Sequence, residues 1–208
     1  MNWKLSLLIE HIIIYWTYSY YILYNNNIDS KLYYPSKNVL VNVLTNQIIG
    51  SSLFYYFDFN VIQPNITSFN FYQLYIILLD LSILISCQSI YFYFIHRLFH
   101  TKFLYKYIHY LHHKNHITIP YTALNCHILE HILVNIMSVF IGTKFWRCHQ
   151  HSIAIWVWYA TKSLVITHSN IIREKNPKTH DFHHLLKNVN FGSGFTFMDK
   201  LFGTFHIQ

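Results

Sequence analysis

The sequence predicts an all-α integral membrane protein, with about three to five membrane-embedded helices carrying a cytosolic, histidine-rich helical cap. Three observations predict it. Hydrophobic residues make up 53% of the 208 and gather in runs of bilayer-crossing length. Gly and Pro number only five and four, which argues against a disordered chain. Sixteen histidines are present, and those with helical spacing begin where the longest apolar run stops.

Residues 5–24 form the first candidate span, although Glu10 and His11 interrupt it. This stretch has no small-residue cleavage site, so it reads as a retained membrane segment and not a cleaved signal. Asn25–Asn27 mark a turn. Residues 39–57 carry no charge over 19 positions and as a helix would reach about 28 Å, close to a hydrocarbon core. The loop at 58–70 contains Asn65-Ile66-Thr67, a glycosylation-acceptor pattern that favours a luminal position. Residues 71–95 are a third span, broken only by Asp80. Two shorter apolar runs, 128–141 and 152–167, suit a shallow hairpin at 128–167 better than two crossings. The chain thus reads as a single membrane domain over 1–208, with transmembrane helices in 1–95 and a histidine-box region in 96–208.

The formal net charge is +7. Its cations lie between apolar runs and not on one amphipathic face, which disfavours nucleic acid as a partner. Arg97, Lys102, Lys106 and Lys114 cluster without an acid, and Arg173, Lys175, Lys178 and Lys187 form a second basic stretch. The positive-inside rule puts both on the cytosolic side, opposite the Asn65 loop. Cys87, Cys126 and Cys148 form no CxxC pair, so neither a disulfide framework nor a zinc ribbon is indicated.

The histidine spacing carries the chemistry. His96 and His100 are four apart; His109, His112 and His113 form HxxHH, and His180, His183 and His184 repeat it. On a helix each set projects from one face. Neutral imidazole is a good ligand for iron, zinc or copper, and eight such rings suit two ions. His127 and His168 are two further candidate ligands, each at the cytosolic end of one hairpin arm. Only eight acids exist in the chain, so a carboxylate-rich di-iron bundle is disfavoured. Glu130 and Asp181 are candidates to hold a ligand ring in position. His11, His116, His131, His149, His151 and His206 read as structural.

"HRLFH" at 96–100, "FLYKYIHYLHHKNHITIP" at 103–120 and "HDFHHLLKNVNFG" at 180–192, followed by "MDKLFGTF" at 198–205, resemble the histidine boxes of the fatty acid hydroxylase and sterol desaturase superfamily. In appearance they stand nearest the C-4 sterol methyl oxidases. "HILE" at 127–130 and "HSN" at 168–170 are similar to family segments usually written HPxE and HSG. The resemblance implies an endoplasmic-reticulum enzyme that activates O2 at two Fe ions held by these histidines. It implies hydroxylation or desaturation of a sterol or fatty acyl lipid, with electrons from NAD(P)H through cytochrome b5 or an equivalent separate donor. The residues alone leave alternatives open. Zinc can replace iron in an imidazole site, so a membrane zinc enzyme or metal transporter stands beside the oxidoreductase, as does a catalytically inactive scaffold of the same fold.

Overall fold

A computed structural model describes residues 2–25, 35–57, 61–62, 71–114, 118–169 and 179–206. The Asn65 pattern, His116 and the basic residues Arg173, Lys175 and Lys178 lie outside the described residues.

The three expected long helices are present. They are α1 (Trp3–Asn25), α2 (Lys37–Tyr56) and α3 (Phe71–Phe99). Among the described residues, only α3 is both long and apolar enough to cross a membrane by length and composition. Polar positions such as Glu10 and His11 in α1, and Asn42, Asn46 and Gln47 in α2, dilute the other two. All three show large apolar side chains on their outer faces, among them Ile13, Tyr20, Val41, Ile48, Leu78 and Phe94.

After α3 the chain turns into α4, continuous through Lys102–Leu104, a π-helical turn at Tyr105–His109, and Tyr110–His113. A 3₁₀ turn at Pro120–Thr122 leads to α5 (Ile128–Phe140), which contains a second π-helical turn at His131–Ile136. Short α6 (Gly142–Phe145) and long α7 (Gln150–Thr167) follow. The apolar runs assigned to a hairpin are therefore both helical, and Trp156 Nε1 of α7 donates to the Val139 carbonyl of α5 across 2.8 Å. The last elements are α8 (Thr179–Leu186) and α9 (Phe197–Leu201). One departure from an all-α fold is a parallel pair of two-residue strands, β1 (Val61–Ile62) and β2 (Cys148–His149).

The core forms between α1, α2, α3, α5 and α7 around Leu7, Phe54, Leu84, Phe140, Ile153 and Trp156. A second cluster joins Tyr15, Ile22 and Val43 to Ala123, Leu124 and Val165. On α3 the buried positions Asp80, Leu84, Gln88 with Ser89, Tyr93, His96 and Phe99 recur every three or four residues and so form one stripe. That stripe begins with a carboxylate and ends at the first histidines. Asp80 accepts from Trp146 Nε1 (2.7 Å), the His149 amide (2.9 Å) and Ser152 Oγ (2.7 Å), with His149 Nδ1 at 3.1 Å. This acid in an apolar run is thus a buried knot tying α3 to β2 and α7. It lies 16 residues, about 24 Å of helix, from His96.

Candidate metal centre

Two groups of imidazole nitrogens converge at the end of α3. His96, His100, His109, His113 and His183 form one; His112, His168, His180 and His184 form the other. Within each group the nitrogens all lie within 4.8 Å of one another. In the first, Nε2 of His109 is 3.2 Å from His96, 2.9 Å from His100 and 3.0 Å from His113, and His113 is 3.2 Å from His183. In the second, Nε2 of His168 is 3.2 Å from both His112 and His180, and His180 is 3.2 Å from His184.

The sorting differs from the sequence expectation that each HxxHH set shares a face. His109 and His113 go to one group and His112 to the other; His180 and His184 go to one and His183 to the other. Adjacent helical residues stand about 100° apart, so His112 and His113 diverge. The i, i+4 pairs stay together, and α4 and α8 each serve both groups.

Outward nitrogens are anchored by backbone. Nδ1 of His96 lies 2.7 Å from the Phe191 carbonyl, that of His183 2.8 Å from Val189, and that of His168 2.9 Å from Leu164. A carbonyl only accepts, so these rings carry their proton on Nδ1 and turn a bare Nε2 lone pair inward. Glu130 Oε2 sits 2.9 Å from His109 Nδ1, both groups buried. Burial, reinforced by neighbouring rings, pushes His100 down to about 2 and His113 to about 3. The rings are neutral, as a metal ligand must be. A buried, neutral, nitrogen-only donor set of five and four fits two borderline transition-metal ions such as iron or zinc.

His127 is in neither group. It is the N-cap of α5, where its Nδ1 accepts from the Leu129 amide at 3.2 Å. The capping bond holds the ring against its own helix end, which corrects the expectation of a tenth ligand. Ile128 stands at the first helical position, where the related motif has proline, and the helix starts there regardless. Asp181 lies on α8, but its side chain is outside the described residues.

The carbonyls that hold His96 and His183 belong to the end of the third box, Val189 and Phe191, for which the sequence suggested no role of their own. Asp199, in the "MDKLFGTF" segment, accepts from the Phe191 amide (2.7 Å), the Gly192 amide (2.9 Å) and Thr204 Oγ1 (2.8 Å). Asn190, at φ +52°, is closed onto the His206 backbone by two side-chain bonds. A Cβ on Gly192 would lie 2.6 Å from the Phe195 carbonyl and 2.7 Å from Asp199 Oδ2, so this position takes only glycine. An acid nineteen residues after His180 gives no periodic signal that reveals this role. Of the aromatics before His96, Phe92 lines the cavity described below, Tyr93 packs on Phe191, and Phe94 is exposed.

An apolar cavity opens on the histidines. His96, His109, His112, His168 and His180 line one part of it; Leu7, Phe54, Val134, Phe140 and Trp156 line the rest.

A helical bundle with two largely buried polyhistidine groups lining an apolar cavity defines a histidine-box protein whose imidazoles could hold metal ions. The fatty acid hydroxylase family profile matches residues 81–204, and the chain belongs to this family. It is 36% identical over 124 residues to methylsterol monooxygenase 1 of Rattus norvegicus, covering 54% of this chain and 41% of that protein. It is 33% identical over 129 residues to fatty acid hydroxylase domain-containing protein 2 of Homo sapiens (61% and 38%). To methylsterol monooxygenase 1-1 of Arabidopsis thaliana it is 32% identical over 127 residues (54% and 42%). The aligned part is thus about two fifths of each relative's length. No solved structure matches the chain.

Replacing Glu130 by Gln is expected to weaken metal retention by about 10- to 100-fold, the usual cost of losing a ligand-orienting carboxylate. Titration with a competing chelator reads this directly.

Proposed function

We propose that the chain is an O2-dependent lipid oxidoreductase, a hydroxylase or desaturase of a sterol or fatty acyl substrate. It uses two iron ions, one in each histidine group. The observation that carries this reading is the pair of converging imidazole groups opening onto an apolar cavity. The names of the relatives support it, since they are called methylsterol monooxygenases and fatty acid hydroxylase domain-containing proteins.

The metal pair supplies O2 binding and reduction when present. The chain's own residues do the rest. Carbonyls of Leu164, Val189 and Phe191 and the Glu130 carboxylate hold the ligand rings, and the apolar cavity holds the lipid and excludes water. The stoichiometry fixes the external needs. Hydroxylation turns C–H, O2, two electrons and two protons into C–OH and water; desaturation removes two hydrogens from adjacent carbons and yields two waters. Either outcome needs two electrons, which a separate donor such as cytochrome b5 draws from NAD(P)H. Arg97, Lys102, Lys106 and Lys114 sit beside the histidine elements as a basic docking face for it.

In this reading α3 crosses an endoplasmic-reticulum bilayer, and the exposed apolar faces of α1 and α2 also contact lipid. The α5 and α7 segments enter shallowly, and the histidine cap lies on the cytosolic side. Metal analysis of detergent-purified protein tests the reading. About two irons per chain with reductant-dependent O2 uptake is expected; zinc alone, or no metal, would overturn it.

A further inference from the structure

One stretch of backbone serves the five-histidine group twice. His96 and His183 both donate from Nδ1 to it, at the carbonyls of Phe191 (2.7 Å) and Val189 (2.8 Å). The Phe191 ring also lies against His96, His100 and His183, with centroids 6.1, 5.2 and 5.5 Å apart. All three rings belong to the five-histidine group, whereas His168 of the other group is held by Leu164 of its own helix. Resting on the reading of both groups as metal sites, we propose that Tyr93, Thr204 and Asp199 are positioning residues for the five-histidine group alone. They make the two metal sites unequal.

Hydrogen bonds give this clamp a direction. As a carboxylate, Asp199 accepts from Thr204 Oγ1 (2.8 Å) and from the amides of Phe191 and Gly192. A hydroxyl has one proton, and Thr204 gives it to Asp199, so Tyr93 is the donor in its 3.1 Å bond to Thr204. The Tyr93 oxygen in turn accepts from Arg97 Nη1 at 3.0 Å. The order Arg97, Tyr93, Thr204, Asp199 therefore runs from an exposed guanidinium to a buried carboxylate, with each hydroxyl oriented. Main-chain bonds close the same segment, from the Asn190 amide to the Thr204 carbonyl and from the Thr204 amide to the Asp199 carbonyl, both 2.8 Å.

Helical spacing ties the clamp to the metal group. Tyr93 precedes His96 by three residues on α3, so the two buried side chains share a face and meet the same segment. The Tyr93 ring stacks on Phe202 at 5.3 Å and meets Phe191 edge-on at 6.2 Å. The backbone so held is in an uncommon conformation. Lys187 (φ +66°) and Asn190 (φ +52°) bracket Val189, and left-handed residues other than glycine persist only where their surroundings fix them. Releasing the clamp lets this stretch relax and moves the Val189 and Phe191 carbonyls. His96 and His183 then lose the bonds that keep the proton on Nδ1 and aim Nε2 inward.

The test is Co2+ binding to the metal-free full chain in detergent, read by stoichiometry and by visible absorption, which responds to coordination number. The native chain is expected to take up two ions. Tyr93→Phe, which keeps the ring and removes only the hydroxyl, should weaken one ion about tenfold and leave the other within about twofold. Asp199→Asn and Thr204→Val should act on that same ion, and Thr204→Ser should retain native binding. Two backgrounds identify the site. In His183→Ala only the four-histidine ion remains, and adding Tyr93→Phe should leave its affinity unchanged. In His112→Ala the five-histidine ion remains, and Tyr93→Phe should weaken it. The proposal is overturned if the native chain binds fewer than two Co2+ or if a folded Tyr93→Phe chain keeps both affinities. It is also overturned if both ions weaken together, as a general loss of stability would produce. Because Co2+ binding involves no O2, a chain that shows this split yet takes up neither iron nor O2 would sink the proposed oxidation and leave the clamp standing.

Discussion

Changing His183 to Ala is expected to empty the five-histidine group and lower reductant-dependent O2 uptake by more than about 100-fold, beyond the range seen when only an orienting partner is lost. His183 is fully buried, 3.2 Å from His113, and its other nitrogen is fixed by the Val189 carbonyl. No other described side chain is placed to substitute for it. His112→Ala should do the same to the second group, through the lost partner of His168. The metal count should fall from about two per chain toward one in each variant, since each histidine belongs to a different group. His127→Ala should leave the metal count unchanged, because that ring caps α5. Elemental analysis beside an oxygen electrode distinguishes these cases. Two metals retained in His183→Ala would contradict the grouping.

The second large effect is on stability and lies at the other end of α3. Replacing Asp80 by Ala is expected to cost about 3–5 kcal/mol, the range for breaking a buried charged network by removing one partner. The indole of Trp146, the amide of His149 and the buried hydroxyl of Ser152 would all lose their acceptor, a carboxylate that is itself buried. Asp80→Asn should cost less, because an amide oxygen can still accept some of these bonds. Thermal unfolding of the detergent-purified protein, followed by size-exclusion of the heated sample, ranks the three proteins. An Asp80→Ala variant as stable as the native chain would mean that water replaces the carboxylate there.

These effects fall differently with respect to what the sequence made legible. The ligand-type histidines stood out because imidazole at i, i+3 and i+4 is rare and chemically specific. Their division into five and four did not, because it depends on the direction from which α4 and α8 meet the end of α3. His127 was misjudged for a related reason: a histidine before a helix satisfies both a ligand motif and an N-cap, and only the 3.2 Å bond to the Leu129 amide separates the two. Asp80 appeared as a flaw in an apolar span, since its partners lie 66 to 72 residues away. His11 and His131 read as structural, and they line the cavity only because α1, α2, α5 and α7 pack around it.

The sequence by itself determined the long helices, the apolar character of α3, the histidines and the family, because periodicity, composition and short spacing are local properties of the chain. The tertiary structure decided which nitrogens face one another, which carbonyls hold them, and where the cavity lies. Those depend on contacts between segments far apart in sequence, and no local pattern encodes the distance between Tyr93 and Thr204, or between Asp199 and the loop that holds His96.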